Sequence, residues 1–425
     1  MSSFGSAGSV RRHETAGHMV MHRLDELAQF SAEHDALTRL YLTVELKAAA
    51  LQTQAWMQAA GMTAHIDAVG NVVGRYEGRE PGLPAVILGS HIDTVRNAGK
   101  YDGCFGVIAA IQAVATLHEA NERLPFAIEV IAFGDEEGVR FPVALTGSRA
   151  VAGLFDPNAL NAKDSDGITV REALQQFGCN PLEIPEIPRR RDQVLAYCEL
   201  HIEQGPVLEA EGLPVGIVTA ISGASRFTIE VEGVAGHAGT VPMNLRRDAL
   251  CAAAEMVLEV ERTAKQTKDL VATVGRADVL PGAVNVIPSG TRFTLDIRSP
   301  SDAVRLAAVA RLTKAFEQTA KDRNVSMRMQ KSYEEAAATC HPNLIEQLSA
   351  AVELTGVSRR RLPSGAGHDG LAMVALCPIS MLFVRCKEGI SHNPAESMTT
   401  EDADIAVRVL VDFLRHFVSP AAAAH

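Results

Sequence analysis

Two short apolar runs, each ending in a glycine and then in residues that can bind a metal, constrain this chain more than any other feature. Val86-Ile87-Leu88 leads into Gly89-Ser90-His91, and Phe126–Phe133 leads into Gly134-Asp135-Glu136-Glu137-Gly138. Runs of this length, rich in β-branched and aromatic residues and bounded by glycine, read as buried strands. Gly106–Leu117, between them, reads as a buried helix. Strand, helix and strand in that order predict an α/β fold, a mixed and mostly parallel sheet flanked by helices. Open sheets of this kind place ligand sites beyond the carboxyl ends of their strands. His91 and the acidic run both fall there.

The pattern changes in the middle of the chain. Pro181–Arg191 is rich in proline and charge and reads as a surface loop, and Val215–Val218 reads as a strand. Arg226–Val231 then alternates like a half-buried strand, and Leu250, Ala253, Val257 and Val260 share one helical face. Val271–Val274 and Arg292–Ile297 read as strands, Ala303–Ala320 as a helix and Val325–Met329 as a last strand. Together these make a βαββαβ unit, a complete ferredoxin-like α+β domain. A helix at Leu344–Leu354, a strand at Ile379–Val384 and a helix at Asp402–Phe417 restore the α/β character. The expected division is therefore residues 1–219 with 335–425 as one domain, and 220–334 as a smaller domain inserted into it.

Composition limits what the chain can act on. Of its 425 residues, 47% are hydrophobic, enough for a sizeable core. The formal net charge of −11 argues against a nucleic-acid surface, so an anionic substrate must be captured by local cations. Seven scattered cysteines without a CxxC pair indicate reduced thiols and a cytoplasmic protein. Met1–Val10 lacks the apolar core of a signal peptide, Phe105–Leu117 is too short to span a membrane, and Ser419–His425 reads as a frayed tail.

Five motifs carry the chemistry. Gly89-Ser90-His91-Ile92-Asp93-Thr94 offers a ligand histidine, with Asp93 able to orient it by accepting its other N–H. Tyr101-Asp102-Gly103 is on its own just a turn, yet Asp102 could bridge two cations. In Gly134–Gly138, one glutamate can bind a cation while its neighbour activates a water. Glu199-Leu200-His201-Ile202-Glu203-Gln204-Gly205-Pro206 and Gly389-Ile390-Ser391-His392-Asn393-Pro394-Ala395-Glu396 each add a histidine. Any one of these histidines alone could be a satisfied loop residue. Three histidines and two carboxylates, mostly at strand ends, make a donor set for two divalent ions. Nitrogen and oxygen donors without sulfur suit zinc, with manganese, cobalt or nickel as alternatives.

The smaller domain carries a second group. His237 lies in the glycine-rich Gly236-His237-Ala238-Gly239-Thr240, and Asn285 in Gly282–Pro288. In the strand Phe293–Arg298 the apolar residues alternate with Thr294, Asp296 and Arg298. Arg298 either pairs with Asp296 or another acid, or takes a substrate carboxylate on its fork.

Taken together, GSHIDT, YDG, DEEGVRF, ELHIEQGP, GHAGTVPM, NVIP, SGAGHDG and GISHNPAE resemble the hydantoinase/carbamoylase family of amidases, within the superfamily of dinuclear zinc peptidases and aminoacylases. The resemblance runs from about residue 60 to 415. It implies that His91, Asp102, Glu137, His201 and His392 hold two divalent ions per subunit, with Asp102 bridging. It makes Glu136 the general base, with Asp93 and His237 also in the catalytic machinery. Gln204, His237, Asn285, Arg298 and Gly367 become substrate-binding residues, with Gln204 and Gly367 on the larger domain. The smaller domain becomes a lid and the interface of a homodimer. Gly370 departs from the family pattern, where alanine is usual. The implied substrate is a small anionic ureido compound, allantoate or an N-carbamoyl-L-amino acid, cleaved with release of ammonia. Asn97-Ala98-Gly99-Lys100-Tyr101 tilts the resemblance toward allantoate. A dipeptidase or aminoacylase on the same scaffold, or a metal-binding homologue without catalysis, are the competing readings.

Overall fold

The computed structural model describes residues 15–420, so the readings made for Met1–Val10 and for most of the 419–425 tail fall outside the described residues. The chain divides into two compact units. One takes the chain up to Val218, then Cys340–Arg361 and the part from His368 on; the other takes Thr219–Thr339 and Leu362–Gly367.

The first unit is built on a mixed sheet. Its strands follow the order Thr63–Ile66, Val72–Tyr76, Ala127–Phe133, Ala85–His91, Val194–Ile202, Ile379–Val384 and the start of Val215–Ile221. The four central strands, from Ala127–Phe133 to Ile379–Val384, run parallel. The pairs outside them are antiparallel. All seven residues of Ala85–His91 and all seven of Ala127–Phe133 are buried. That is why these segments read as continuous apolar runs and not as alternating ones. The helix Cys104–Glu119 lies against Ala85–His91 and is itself covered by Ala16–Leu27 and Thr400–Arg415. With helices over it, Cys104–Glu119 is apolar nearly all round. Thr399 caps Thr400–Arg415 by accepting from the Asp402 amide at 3.1 Å, with Glu401 and Asp402 in the positive first turn.

The second unit has an antiparallel sheet in the order Ala277–Leu280, Gly290–Ser299, Gly223–Glu232, Ser326–Glu335, with Val271–Thr273 also paired to Gly290–Ser299. Helices Ala249–Gln266 and Asp302–Asp322 pack on it, and their shared core includes Ile229, Met256, Phe293, Ile297, Leu312 and Phe316. Strand alternation dictates this arrangement: every second residue of Gly290–Ser299 is buried, while Asp296 and Arg298 face the other way.

Three expectations need correcting. The buried face of Ala249–Gln266 is Ala249, Ala252, Ala253, Met256 and Val260, whereas Leu250 is exposed. Apolar size misled here, because small alanines sit closest to the sheet. Pro181–Arg191 lies at the surface as expected but is not loop throughout, because Pro181–Glu186 is a 3-10 turn capped by Asn180 and anchored by buried Pro181 and Ile184. Residues 335–339 and 362–367, Gly367 among them, group with the second unit. Backbone pairing explains this: Ala338 and Thr339 ladder with Ile221 and Ala220, and the Ser222 amide donates to the Ser364 carbonyl at 3.0 Å.

Candidate metal centre

His91 is the last residue of its strand. Its Nδ1 lies 3.0 Å from the Asp93 carbonyl, which can only accept, so the ring proton sits on Nδ1. The Nε2 lone pair is then free, and it faces Asp102 Oδ1 at 3.4 Å. His201 repeats the device from the neighbouring parallel strand. Its Nδ1 is 2.9 Å from the Ile202 carbonyl, and its Nε2 is 3.1 Å from the same Asp102 oxygen. His392 Nε2 approaches the other oxygen, Asp102 Oδ2, at 3.3 Å and Glu137 Oε2 at 3.6 Å. The Asp102 carboxylate thus stands among three imidazoles, two on one oxygen and one on the other. Gly103 makes room for this: its φ is +63°, and a Cβ there would lie 2.3 Å from the His91 ring. The Asp-Gly pair is therefore a turn because the glycine must pass beneath a histidine.

The acidic run is held by Asp93. Its two carboxylate oxygens accept from the Glu136 and Glu137 amides, each at 3.2 Å. This corrects the expected role: the backbone carbonyl of Asp93 orients His91, and its carboxylate stands 3.8 Å from that ring while it fixes the glutamates. Asp135 is left-handed, with φ 65°, which turns the chain sharply after the strand. Glu136 Oε2 ends 3.8 Å from His91 Nε2. Gln204 and His392 are also left-handed. Three non-glycine residues in a costly conformation at one site are a mark of function.

Burial sets the electrostatics. Desolvation, with Glu137, Asp369 and Asp93 nearby, pushes Glu136 well above the usual carboxyl range although His91 opposes it. Desolvation and Asp102 raise Glu137 to about 7. Asp102 is itself buried, yet His201, His392 and His91 hold it well below its ordinary value. The Asp102 hydrogen bond outweighs burial and brings His392 to about 8. Acids this closely packed require positive charge among them.

The donor chemistry fits divalent ions. His91, Asp102 and His201 place one donor atom each within 4.8 Å of one another, and so do Asp102, Glu137 and His392. Asp102 belongs to both groups, which suits a bridging carboxylate. His91, Glu136 and Glu137 form a third such group. Imidazole nitrogens and carboxylate oxygens converging without a thiolate suit zinc or manganese.

The other expected residues separate by unit. Gln204 lies in the first and donates from Nε2 to Asp102 Oδ2 at 2.7 Å. His237 and Asn285 are exposed loop residues of the second, and they sit side by side: His237 is in register with Val286, and the Ala238 amide donates to the Asn285 carbonyl at 2.9 Å. Arg298 follows the first reading made of it, the pair with Asp296. Its Nε and Nη2 grip Asp296 at 2.8 and 3.1 Å, and Nη1 donates to the Gly365 carbonyl at 3.0 Å. Asp296 is shared with Arg226, whose Nε is 2.8 Å away. Arg298 borders a cavity of about 650 Å³ walled by Leu270, Val271, Pro300 and Pro363.

Sequence reasoning missed three buried contributors. Glu199 accepts from Tyr197 Oη at 2.9 Å and from the Gly370 amide at 3.2 Å, so the unusual glycine keeps its backbone role. The His368 ring meets His201 edge to face at 4.4 Å. Glu396 accepts from the Tyr101 and Asp102 amides. Each lies in a quoted motif.

The profile described as Peptidase family M20/M25/M40 matches residues 87–416. The N-carbamoyl-L-amino acid amidohydrolase of Geobacillus stearothermophilus is 41% identical over 395 residues, covering 93% of this chain and 97% of that protein. A probable allantoate deiminase of Oryza sativa subsp. japonica is 40% identical over 438 residues, covering 95% and 89%. The crystal structure of a hydantoinase/carbamoylase family amidase from Burkholderia multivorans is similar with a TM-score of 0.89 at 34% identity, covering 94% of this chain and 97% of that one.

Proposed function

The chain belongs to the M20/M25/M40 peptidase family, among its hydantoinase/carbamoylase amidases, and from that premise we propose that it hydrolyses the ureido C–N bond of an N-carbamoyl-L-amino acid or of allantoate. As a class it is a hydrolase of carbon–nitrogen bonds other than peptide bonds, in linear amides. One observation carries the finer reading: the Asp102 carboxylate lies among His91, His201 and His392, with Glu136 and Glu137 beside them.

His91, Asp102, Glu137, His201 and His392 would hold two divalent ions, which polarise the ureido carbonyl and acidify a water when bound. Glu136 takes a proton from that water as it attacks the carbonyl carbon. Burial and the neighbouring acids raise the affinity of Glu136 for protons, the direction a proton acceptor needs. Glu136 then delivers the proton to the departing nitrogen, and ammonia leaves. His237 supports the oxyanion, with Asn285, Gln204 and Gly367 contacting substrate. Arg298 receives the substrate carboxylate on the edge of its fork not committed to Asp296.

The apolar wall beside Arg298 favours a substrate whose carboxylate neighbours an apolar side chain. That describes many N-carbamoyl amino acids and not allantoate, whose second arm is another ureido group. We place the protein in the cytoplasm, on its seven unpaired cysteines, and as a homodimer through the second unit. No helix among the described residues is long and apolar enough to cross a membrane.

A direct test measures ammonia release from allantoate and from N-carbamoyl-L-leucine side by side, with zinc or manganese supplied. Turnover of the carbamoyl amino acid above that of allantoate is expected. Turnover of neither, with dipeptides cleaved instead, would overturn the proposal.

A further inference from the structure

The Asn97–Tyr101 stretch has a physical role within the first unit. The Ala98 amide donates to the Leu37 carbonyl at 2.8 Å, and the Asn97 amide to Thr38 Oγ1 at 2.9 Å. Gly99 then passes under Glu396 so closely that a Cβ would lie 2.4 Å from its Cβ, Cδ and Oε1. Glu396 is buried, and its Oε1 accepts two consecutive amides, Tyr101 at 2.7 Å and Asp102 at 3.1 Å. Its Oε2 lies 3.1 Å from Ser391 Oγ, the residue before His392. Ser391 Oγ is also 2.5 Å from Asp102 Oδ2.

A hydroxyl has one proton, and the shorter distance assigns it to Asp102. Glu396 therefore meets the serine chiefly through contact and its amides through hydrogen bonds. Two amides on one carboxyl oxygen fix the peptide that carries Asp102, and the same side chain braces the turn that carries His392. Asp102 must present one oxygen to His91 and His201 and the other to His392, so a small rotation of its peptide would spoil both sides.

We propose that Glu396 is a positioning residue of the metal centre, tying the Asp102 turn to the His392 turn, and that Gly99 is glycine to let it do so. This rests on the reading that those residues bind divalent ions. Partners behind metal ligands commonly change affinity about 10- to 100-fold. The neutral amide of Glu396→Gln keeps an acceptor for the two backbone groups, whereas Glu396→Ala removes it. Gly99→Ala leaves Glu396 in the sequence and displaces it.

The test titrates Zn²⁺ and Mn²⁺ into metal-stripped full-length protein against a chromophoric chelator, and records thermal midpoints of the metal-free proteins. Expected are affinities weaker by about 10- to 100-fold in Glu396→Ala and about 10-fold in Gly99→Ala, with Glu396→Gln between wild type and alanine. The metal-free midpoint should stay close to wild type in Glu396→Gln, which separates positioning from general loss of structure. Wild-type affinity in Gly99→Ala and Glu396→Gln would overturn the inference even if Glu396→Ala fails to fold. Wild-type protein that takes up neither ion would overturn the metal-centre reading itself, a separate result.

Discussion

The two units carry in opposite ways the side chains proposed to act. In the first, His91, Asp102 and His201 are at most 3% exposed, and backbone carbonyls fix the imidazoles. In the second, His237 and Asn285 are exposed on loops joined by a two-residue ladder. The difference reflects what each group must do. Holding cations and moving protons calls for desolvation and like charges to displace pKa values, which the buried strand ends supply, although His392 reaches the same centre from a half-exposed turn. Recognition of a small anion needs reach and adjustment, which a loop supplies.

The largest effect that this contrast predicts is chemical. Glu136→Gln keeps size and burial but cannot take a proton, so kcat should fall about 10³-fold. Metal content, measured by elemental analysis, should be unchanged. An active variant would remove Glu136 from its role and weaken the link between burial and catalysis.

Metal removal should come next. Ions present at about 1,000 times their dissociation constant stabilise by about 4 kcal/mol. Dialysis against a chelator should therefore raise hydrogen exchange around Ala85–His91, Val194–Ile202 and His392, while Gly223–Glu232 and Gly290–Ser299 keep their protection. Equal loosening of both sheets would mean that the units do not respond separately.

Arg298 lies between the two extremes, half-buried and pinned by Asp296. Arg298→Lys retains the charge but loses the planar fork. We expect KM to rise about 10-fold, or about 1.4 kcal/mol, with a smaller change in kcat. Steady-state kinetics on the carbamoyl substrate would show it. A fall confined to kcat would argue that Arg298 acts in the chemical step and not in capture.

Legibility followed the same division. The donors at strand ends could be read because a glycine-bounded apolar run fixes where the chain emerges, and histidines and acids stand out there. The parallel order of Ala85–His91, Val194–Ile202 and Ile379–Val384 was not legible, since pairing between segments over 100 residues apart leaves no local signature. The helices Ala16–Leu27 and Val44–Ala59 were not legible either. The buried face of Val44–Ala59 mixes Leu46, Ala49, Ala50, Thr53, Trp56 and Met57 and its apolar periodicity is weak, so the pattern gave little. Glu396 was invisible for another reason: its partners are backbone amides, which every sequence has.

The smallest predicted effect probes the loop side most directly. Val284 is fully exposed at the tip beside Asn285, and Met243 and Leu245 near His237 are 76% and 68% exposed. A side chain without packing contacts should change the folding free energy by less than about 0.5 kcal/mol, so Val284→Ser should leave the thermal midpoint of dilute protein unaltered. Covering a valine against a partner is worth about 1.5–3 kcal/mol. If the second unit joins two copies and this tip is part of the contact, the same variant should weaken dimerisation about 10-fold or more in sedimentation experiments, while the dilute subunit stays as stable as before. A lower midpoint in the dilute subunit would instead show that the loop belongs to the unit's own core, and the contrast between a buried centre and free recognition loops would no longer hold.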